Sequence, residues 1–290
     1  MVVRRVLFCG GGIRVIAHIG ALEEMSRHRI LATIQEWAGV SAGALVAMCL
    51  AVGYTIDELR DFCLRFDFHN AMELDSAPGW LIHMGLDTGE RLTRMIEACL
   101  HVKGLSSDIT FRQCQQKFQT ALRVFATDLK QGTLAVFSPS STPDYTIAHA
   151  VRASMSFPYY FQPFEDSATG TLYSDGGVVS NYPFYTLSPQ EQEETIGLLF
   201  DDKCPEMATA DFELEQAFLR PIKILLYTRT AHEKEYAPSR TIIIDTFGVD
   251  AFDVGLSYEV KLSLLQSGVA SVKAHVQKMR AMPKRRYSVG

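Results

Sequence analysis

A serine with a glycine two places away on each side occurs in the pentapeptide Gly39-Val40-Ser41-Ala42-Gly43. This spacing is typical of a nucleophile elbow, where a sharp turn between a strand and a helix exposes a serine hydroxyl. The run QEWAG before it and the apolar AGALVAM after it supply that context. The start of such a helix also offers N–H groups and a positive dipole end to an oxyanion. Ser41 is therefore a candidate nucleophile in need of a proton acceptor.

The same pentapeptide has a purely structural explanation. Three small residues at fixed positions arise by chance in about one chain in ten of this length. A serine at this position can also cap the N-terminus of a buried helix. The motif alone supports the nucleophile and the helix cap about equally, so other residues have to decide.

Three consecutive glycines, Gly10–Gly12, follow the apolar run RRVLFC. Without side chains they let backbone N–H groups approach a ligand, as both an oxyanion hole and a phosphate site require. The spacing overlaps the dinucleotide fingerprint GxGxxG, but Val15 stands where that fingerprint needs glycine. No suitable acidic ribose partner follows the next predicted strand either. These observations favour an oxyanion-binding loop.

An aspartate, Asp175, ends the strand-like run TLYSD and precedes Gly176 and Gly177. Asp-Gly is a common turn dipeptide, so an ordinary turn explains this segment when it is taken alone. The glycine triplet, the GVSAG pentapeptide and the Asp-Gly-Gly tripeptide nevertheless each follow a strand-like run. The significance of Asp175 therefore depends on the other two motifs.

None of the eight histidines is a convincing base for a catalytic triad. The α/β-hydrolase order Ser…Asp…His requires a histidine after the aspartate. His232 and His275 follow Asp175, but they lie in helical or charged stretches. His18 lies in the apolar segment IAHIGAL, where a packed, hydrogen-bonded core histidine is the favoured interpretation.

The three motifs and the segments around them closely resemble the patatin-like phospholipases. Three independent matches in this order would arise by chance in well under about one in a thousand chains. CGGGIRVIAHIGALEEM is similar to the family's oxyanion segment, GVSAGALVA to its nucleophile elbow and YSDGGVVSNYP to its catalytic-aspartate segment. FATDLKQGTLAVFS with AVRASMSFPYYFQPF resembles the family's middle block, and TIGLLF the strand after the aspartate.

The resemblance implies a Ser–Asp dyad without a histidine, in which Ser41 is the nucleophile and Asp175 the general base. The oxyanion hole, with Arg14 supporting it, would be formed by Gly10, Gly11 and Gly12. The other motif glycines of the family fall on Gly39, Gly43, Gly176 and Gly177. This chain departs from the family at Val15, where glycine is usual, and the added bulk would alter the geometry of the oxyanion loop.

The activity that the resemblance implies is hydrolysis of lipid acyl esters. The most specific expectation is a calcium-independent phospholipase A of the A2 or A1 type, which releases free fatty acid through an acyl-enzyme. No cofactor and no metal is expected. Aspartate is a weak base at its usual pKa of about 3.9, but an apolar wall would raise the pKa of Asp175. Two alternatives stay open: a broad carboxylester or neutral-lipid hydrolase, and a catalytically silent protein that binds lipid or a partner.

The expected partner is a phospholipid or another acyl-ester lipid, with peripheral contact to a membrane. Aromatic and aliphatic residues concentrate in Met155–Phe161 and Pro78–Gly85. These stretches would line an acyl groove or touch a bilayer, unless they simply pack on the sheet. The basic tail Lys284-Arg285-Arg286 would favour anionic headgroups, unless it is merely solvated.

The elements that position these motifs are predicted to form an α/β fold. Over the first fifty residues, short apolar runs alternate with helical patterns, which predicts a parallel sheet with helices on its faces. Further strands are predicted at ALRVFATDL, TLAVFS, TLYSDGG, TIGLLF and RTIIID, and helices around 211–228 and from Ser257 onward. Together with the resemblance, this indicates a three-layer α/β/α sandwich with a mostly parallel central sheet, related to the α/β-hydrolases. We expect one patatin-like domain over 1–290, with a helical, lid-like insertion around 55–105 in which Asp87 caps a helix.

The composition restricts the class and location of the protein. The chain has 290 residues, is 47% hydrophobic and carries a net charge of −5, which gives no support for nucleic-acid binding. Its longest apolar run, near Ala42–Val52, is far shorter than the roughly 20 residues of a membrane-spanning helix. The start lacks the apolar region of a signal peptide, and the six cysteines form no CxxC pair, which predicts reduced thiols. We expect a cytoplasmic protein, with peripheral contact at membranes.

Overall fold

A mixed β-sheet lies at the centre of the fold. The computed structural model describes residues 2–66, 85, 87–201, 214–236, 239–253 and 255–281, and within these ranges eight strands join in the sheet. The strands are β1 (Arg5–Phe8), β2 (Glu36–Val40), β3 (Ala121–Asp128), β4 (Thr133–Phe137), β5 (Phe164–Asp166), β6 (Thr171–Asp175), β7 (Thr195–Phe200) and β8 (Thr241–Ile244).

Helices flank this sheet, which confirms the predicted α/β class. The described ranges contain nine α-helices: α1 (Ile16–Arg27), α2 (Ala42–Ala51), α3 (Ile56–Arg65), α4 (Glu90–Val102), α5 (Phe111–Phe118), α6 (Ile147–Ser154), α7 (Pro189–Glu193), α8 (Leu214–Glu233) and α9 (Tyr258–Ala281). Short 3-10 turns lie between several of these elements, and the turn Gly12–Val15 leads directly into α1.

Five neighbouring strands run parallel in the order β3-β2-β1-β7-β8, as the sequence predicts. The other pairings are antiparallel, because β4 and β6 pair with β3 and β5 pairs with β6. β1 is central, and the side chains of Val6, Leu7 and Phe8 are fully buried. Strands that are buried on both faces have continuous apolar sequences, which explains the unbroken run at this strand.

The register of β3 brings two strand ends together. Phe125 of β3 pairs with Val40, the last residue of β2, and the next residue, Ala126, pairs with Asp175, the last residue of β6. β4 pairs with both of these β3 residues, so β4 occupies one edge of β3 while β2 and β6 share the other. Because β2 is parallel and β6 antiparallel to β3, their carboxyl ends meet head to head. The pairing therefore places the residue after β2, Ser41, beside Asp175.

Helix α2 is apolar almost throughout because it is surrounded by other elements. It packs against β1, β2 and β3 and against α4, α5 and α6. Eight of its ten residues are buried, so its hydropathy reflects a position in the core. Within the described ranges, no helix combines the length and the hydropathy needed to cross a bilayer.

One predicted helix start is wrong. Helix α4 begins at Glu90 with Gly89 as its N-cap residue, and Asp87 lies one turn earlier, where its carboxylate accepts a hydrogen bond from the Gly89 N–H over 2.6 Å. Gly89 has a φ of 77°, a conformation that glycine adopts without steric cost. Because Gly89 is left-handed, the helix begins further along the chain than it would with Asp87 as its cap.

Some sequence features lie outside the described residues. They include residues 78–84 of the apolar stretch near Trp80, the basic tail and Cys204. The five cysteines that the structure describes, Cys9, Cys49, Cys63, Cys99 and Cys114, form no disulfide bond. Of the region around 55–105, the structure describes α3 and α4 but not residues 67–84.

Candidate active site

Ser41 lies in the sharp turn between β2 and α2, with φ 54° and ψ −131°. A residue with a side chain rarely adopts a positive φ, so its surroundings must hold this conformation. The motif glycines permit it. A Cβ atom at Gly39 would lie 2.3 Å from the carbonyl oxygen of Gly43, and one at Gly43 would lie 2.5 Å from that of Cys9. The pentapeptide thus has the geometry of a nucleophile elbow.

Ser154, the last residue of α6, holds the backbone of this turn. Its fully buried hydroxyl accepts a hydrogen bond from the Ser41 N–H at 2.8 Å and donates one to the Phe125 carbonyl oxygen at 2.6 Å. These two bonds fix the turn against β3. The sequence gives no signal for this contact, because Ser154 lies 113 residues from Ser41 in an ordinary helical pattern.

The Ser41 side chain faces Asp175 rather than the helix that follows it. Ser41 Oγ donates a hydrogen bond to Asp175 Oδ2 at 2.6 Å. Ser41 is the N-cap residue of α2, but its side chain makes no capping bond to that helix. The helix-cap explanation of the motif is therefore wrong, because the hydroxyl bonds to a carboxylate instead of to the helix.

Asp175 is held in place and almost completely buried. Its Oδ1 accepts a hydrogen bond from the Gly177 N–H at 2.8 Å, and its carbonyl oxygen accepts one from the Thr127 hydroxyl at 2.8 Å. Burial raises the pKa of Asp175 to about 7, although the hydrogen bonds from Ser41 and Gly177 act in the opposite direction. A carboxylate in this environment is a far stronger base than an exposed aspartate.

The glycine triplet lines the same pocket as Asp175 and is hydrogen-bonded to the segment that follows Asp175. The Gly10 N–H donates to the carbonyl oxygen of Asn181 at 3.4 Å, and Asn181 Nδ2 donates to the carbonyl oxygen of Gly10 at 3.2 Å. Among the described residues, the N–H groups of Gly11 and Gly12 have no acceptor. Of the three predicted oxyanion donors, these two are the ones that the fold does not already use.

Arg14 supports the glycine loop from its buried side. Its Nε donates to the carbonyl oxygen of Gly11 at 3.1 Å, and its guanidinium lies over the Phe200 ring at 5.5 Å. This bond orients the Gly11 peptide, and the stacked ring restricts the guanidinium. These contacts join Arg14 to the glycine loop, and its supporting role in an oxyanion hole stays a prediction from the family resemblance.

Polar groups and many apolar side chains line the same cavity. Ser41, Asp175, Asn181 and the glycine triplet face this cavity. The apolar side chains come from the turn after the glycine triplet, α2, α4, the segment after α6, α8 and the segment after β8: Ile13, Val15, Ala42, Leu45, Leu92, Met95, Met155, Phe157, Phe161, Leu226, Ala251 and Phe252. The prediction that Met155–Phe161 contributes to an acyl groove agrees with this lining. A few converging polar groups in an apolar cavity are typical of a site for an apolar substrate.

His18 has a structural position, as the sequence predicts. It is fully buried, Nε2 lies 3.2 Å from the carbonyl oxygen of Cys9, and its ring stacks on Phe200 at 4.3 Å. Burial lowers its pKa to about 3, so the ring is neutral at physiological pH. Among the described residues, no histidine lines the cavity.

Comparison with protein-family models places this arrangement in a known family. The model for patatin-like phospholipase matches residues 6–188, which include the glycine triplet, Ser41 and Asp175. The chain belongs to the patatin-like phospholipase family. Family membership supports a lipid hydrolase activity.

The chain is also similar to individual proteins and to a solved structure. The chain is 29% identical to YqhO of Bacillus subtilis over 288 residues, which cover 90% of this chain and 94% of YqhO. It is 26% identical to the probable lipid hydrolase 463L of Invertebrate iridescent virus 6 over 182 residues, which cover 62% of this chain and 61% of the viral protein. VipD from Legionella pneumophila has a similar fold, with a TM-score of 0.65 at 14% identity, over 95% of this chain and 67% of VipD.

Val15 distinguishes this patatin-like chain from the usual family pattern. It ends the 3-10 turn that follows the glycine triplet, is buried and lines the cavity. The valine therefore contributes apolar surface to the pocket at the position where glycine is usual. Asn181 is one of the pocket residues that sequence reasoning missed, although it lies within the segment YSDGGVVSNYP that carries the family resemblance.

Proposed function

We propose that this patatin-like protein is a calcium-independent phospholipase A that releases fatty acid through a Ser41–Asp175 dyad. The observation that carries the proposal is the 2.6 Å hydrogen bond from Ser41 Oγ to Asp175 Oδ2 in a cavity that is otherwise lined largely by apolar side chains. The phospholipid is the substrate class that the family name suggests. The cavity supports it through an apolar wall suited to an acyl chain.

In the proposed acylation step, Ser41 Oγ attacks the ester carbonyl carbon as Asp175 Oδ2 accepts the hydroxyl proton. The carbonyl becomes an oxyanion that the N–H groups of Gly11 and Gly12 stabilise, which is usually the largest catalytic contribution. The bond to the leaving alkoxide then breaks, and Asp175 returns the proton to that oxygen. The lysophospholipid departs and the acyl group stays on Ser41.

In the proposed deacylation step, Asp175 accepts a proton from water as the water oxygen attacks the acyl-enzyme. The second oxyanion forms in the same place, the bond to Ser41 Oγ breaks, and the proton returns to Ser41. Free fatty acid is released. Both steps need a base with a pKa near the working pH, and the pKa of about 7 at Asp175 meets this requirement.

We further propose that residues 1–290 form one patatin-like domain with a helical insertion around 55–105 that covers the pocket. Two side chains support this assignment. Leu92 and Met95 of α4 line the cavity, so this helix of the region forms part of the pocket wall.

The activity is tested by mass spectrometry of the products formed from mixed phospholipids and triglycerides, with and without EDTA. We expect free fatty acid and lysophospholipid in equal amounts, at rates that EDTA does not change. Fatty acid from triglyceride alone would replace the proposal with a neutral-lipid hydrolase. No product from any lipid, together with no labelling of Ser41 by a fluorophosphonate, would indicate the binding protein instead.

The two hydrogen bonds of the Ser154 hydroxyl give a separate prediction. In a Ser154→Ala variant, the Ser41 N–H and the Phe125 carbonyl lose a buried partner, which costs about 1–3 kcal/mol of unfolding free energy. Because the nucleophile is then less well positioned, we expect kcat for a soluble ester to fall between about 10-fold and 100-fold, with a smaller change in KM. Steady-state kinetics and urea unfolding measure the two effects.

Ser156→Ala is the matched control. Ser156 is also fully buried, and among the described residues its hydroxyl forms hydrogen bonds with Arg152 alone, at 2.5 Å from Nη1 and 2.9 Å from the carbonyl oxygen. We expect this variant to lose stability while kcat stays close to that of the wild type. Equal kcat values in the two variants would show that the Ser154 hydroxyl does not position the nucleophile.

A further inference from the structure

Asn181 is a polar residue of the catalytic cavity that the proposed acylation step does not use. It is half-buried and lines the cavity together with Ser41 and Asp175. The side-chain amide of an asparagine has a donating nitrogen and an accepting oxygen. The orientation of this amide therefore determines which kind of hydrogen bond it offers to a ligand in the cavity.

The carbonyl oxygen of Gly10 fixes that orientation. Asn181 Nδ2 donates to this oxygen at 3.2 Å. The reversed amide would bring two acceptor oxygens together, so the nitrogen is the end that faces Gly10. Among the described residues, no N–H or hydroxyl group donates to the other end, Asn181 Oδ1. The amide thus offers a hydrogen-bond acceptor that the described part of the fold does not use.

This acceptor lies close to both members of the dyad. A Cβ atom at Gly10 would lie 2.5 Å from Asn181 Oδ1 and 3.0 Å from Ser41 Cβ. A Cβ atom at Gly177 would lie 3.2 Å from Asn181 Oδ1 and 3.0 Å from Asp175 Oδ1. In each case a single carbon atom would contact both groups. A water molecule that is bound to Asp175 and approaches Ser41 is therefore within reach of Asn181 Oδ1.

The backbone is held on both sides of Asn181. The Ser180 hydroxyl donates to the Glu233 carboxylate at 2.5 Å, and the Tyr182 N–H donates to the same carboxylate at 2.8 Å. Glu233 is buried. The Gly10 N–H also donates to the carbonyl oxygen of Asn181 at 3.4 Å. Because these bonds and the Nδ2 bond are already made, the acceptor is preorganised before a ligand binds.

The two halves of the proposed reaction differ in their need for such an acceptor. In acylation, the attacking Ser41 Oγ has one hydrogen, and Asp175 Oδ2 already accepts it at 2.6 Å. In deacylation, the attacking water has two hydrogens, of which Asp175 takes one. An acceptor for the second hydrogen orients the water oxygen towards the acyl carbon. An oxyanion needs donors instead, so Asn181 Oδ1 does not suit that position.

We propose that Asn181 Oδ1 positions the water that hydrolyses the acyl-enzyme. This inference rests on the proposed acyl-enzyme mechanism and assigns a residue to its second half. The water donates one hydrogen bond to Asn181 Oδ1 and one to Asp175 Oδ2. As its oxygen bonds to the acyl carbon, one proton passes to Asp175 and the carbonyl electrons move to the oxyanion. The bond to Ser41 Oγ then breaks, Oγ takes the proton from Asp175, and the second hydrogen leaves with the fatty acid.

Burst kinetics with p-nitrophenyl butyrate test this assignment, because its good leaving group makes deacylation the slow step. The burst of nitrophenol measures acylation, and the slope that follows measures deacylation. We expect Asn181→Ala to lower the deacylation rate constant at least about tenfold, because the attacking water is less well oriented, and to change acylation less than about threefold. The acyl-enzyme should then accumulate in intact mass spectra. Labelling by a fluorophosphonate requires no water, so its rate should also change less than about threefold.

Thr186→Ala is the matched control. The Thr186 hydroxyl donates to the carbonyl oxygen of Pro183 at 2.7 Å in the same segment of the chain, and Thr186 is not among the described residues that line the cavity. Both rate constants of this variant should stay within about twofold of the wild type, because its lost hydrogen bond does not reach the cavity.

Asn181→Asp separates the acceptor from the donor, because it keeps an oxygen in place of Oδ1 but cannot donate to Gly10. We expect its ratio of deacylation to acylation to stay within about threefold of the wild type, even where both rate constants fall. If circular dichroism shows that Asn181→Ala does not fold, this ratio decides alone.

Equal losses of acylation and deacylation in Asn181→Ala would overturn the inference, because they would show that the side chain only maintains the glycine loop. Unchanged deacylation in Asn181→Ala would do the same, as would a lowered ratio in Asn181→Asp. A wild type that shows neither a burst nor labelling by the fluorophosphonate would instead refute the proposed function.

Discussion

Replacement of Ser41 by alanine is expected to lower kcat/KM for lipid-ester hydrolysis at least about a thousandfold. The reason is that alanine has no oxygen to form the acyl-enzyme, and the 2.6 Å hydrogen bond to Asp175 disappears with the hydroxyl. The fold should survive, because the backbone contact with Ser154 involves the Ser41 N–H and alanine retains it. Alanine also tolerates the φ of 54° no less well than serine does.

Two measurements separate loss of the nucleophile from loss of the fold. A fluorophosphonate probe should label the wild type at one serine and leave Ser41→Ala unlabelled, while urea unfolding shows similar stability for both. Ser263→Ala is a suitable control, since the Ser263 hydroxyl only donates to the carbonyl oxygen of Glu259 within α9. Hydrolysis by Ser41→Ala within tenfold of the wild type would exclude Ser41 as the nucleophile.

The parts of the site that follow from local sequence are those with a strong backbone requirement. Gly39 and Gly43 are needed because any Cβ would collide with a carbonyl oxygen, and this requirement produces the recognisable GVSAG pentapeptide. The strand and helix around it are detectable because their burial gives continuous apolar runs. Asp175 is a weaker signal, since its neighbours Gly176 and Gly177 also suit an ordinary turn.

The pairing of Ser41 with Asp175 depends on the register of β3, which no local pattern encodes. Residues 125 and 126 place the ends of β2 and β6 next to each other, and this adjacency makes a dyad out of two motifs 134 residues apart. Ser154 and Asn181 escape sequence analysis for the same reason. Their side chains act through tertiary hydrogen bonds, and isolated serine and asparagine residues carry no periodic signal.

The start of α4 shows a different limitation of sequence analysis, in which a local rule is satisfied but the fold does not follow it. Asp87 followed by Glu90 satisfies a local rule for capping, yet the φ of 77° at Gly89 shifts the start of α4. Several residue types satisfy a capping rule, whereas the glycine conformation is set by its surroundings: a Cβ at Gly89 would lie 2.0 Å from the guanidinium of Arg152. The tertiary contact therefore decides between local alternatives that the sequence leaves equal.

Asp175→Asn is expected to lower kcat/KM at least about a hundredfold and to remove the pH dependence that the base causes. In the wild type the carboxylate must be ionised to accept the Ser41 proton, and its pKa is raised to about 7. The wild-type kcat/KM should therefore rise from pH 5 to pH 7 and level off above about pH 8. A rate profile that is flat between pH 5 and pH 8 would contradict Asp175 as the base.

The same raised pKa predicts an effect on stability with a definite sign. An aspartate with an ordinary pKa in the unfolded chain and a pKa of about 7 in the fold binds its proton more tightly when folded. Its contribution to stability is therefore fully present below the unfolded pKa and is lost as pH rises towards and through 7. Asparagine is neutral throughout, so Asp175→Asn should gain unfolding free energy relative to the wild type between pH 5 and pH 8, on the order of 1–3 kcal/mol.

Urea unfolding of both proteins at pH 5 and pH 8 measures this difference, and Asp144→Asn is the control. Asp144 is exposed, and its hydrogen bonds with Arg112 lower its pKa, so it is ionised at both pH values in the folded and the unfolded chain. Its replacement should change stability equally at pH 5 and pH 8. If Asp175→Asn behaves like this control, the buried carboxylate does not carry the raised pKa. The other outcome is that Asp175→Asn is more stable than the wild type only at the higher pH while its activity is lost. That result would show that the folded wild type keeps a destabilising buried charge where the proposed reaction needs a base.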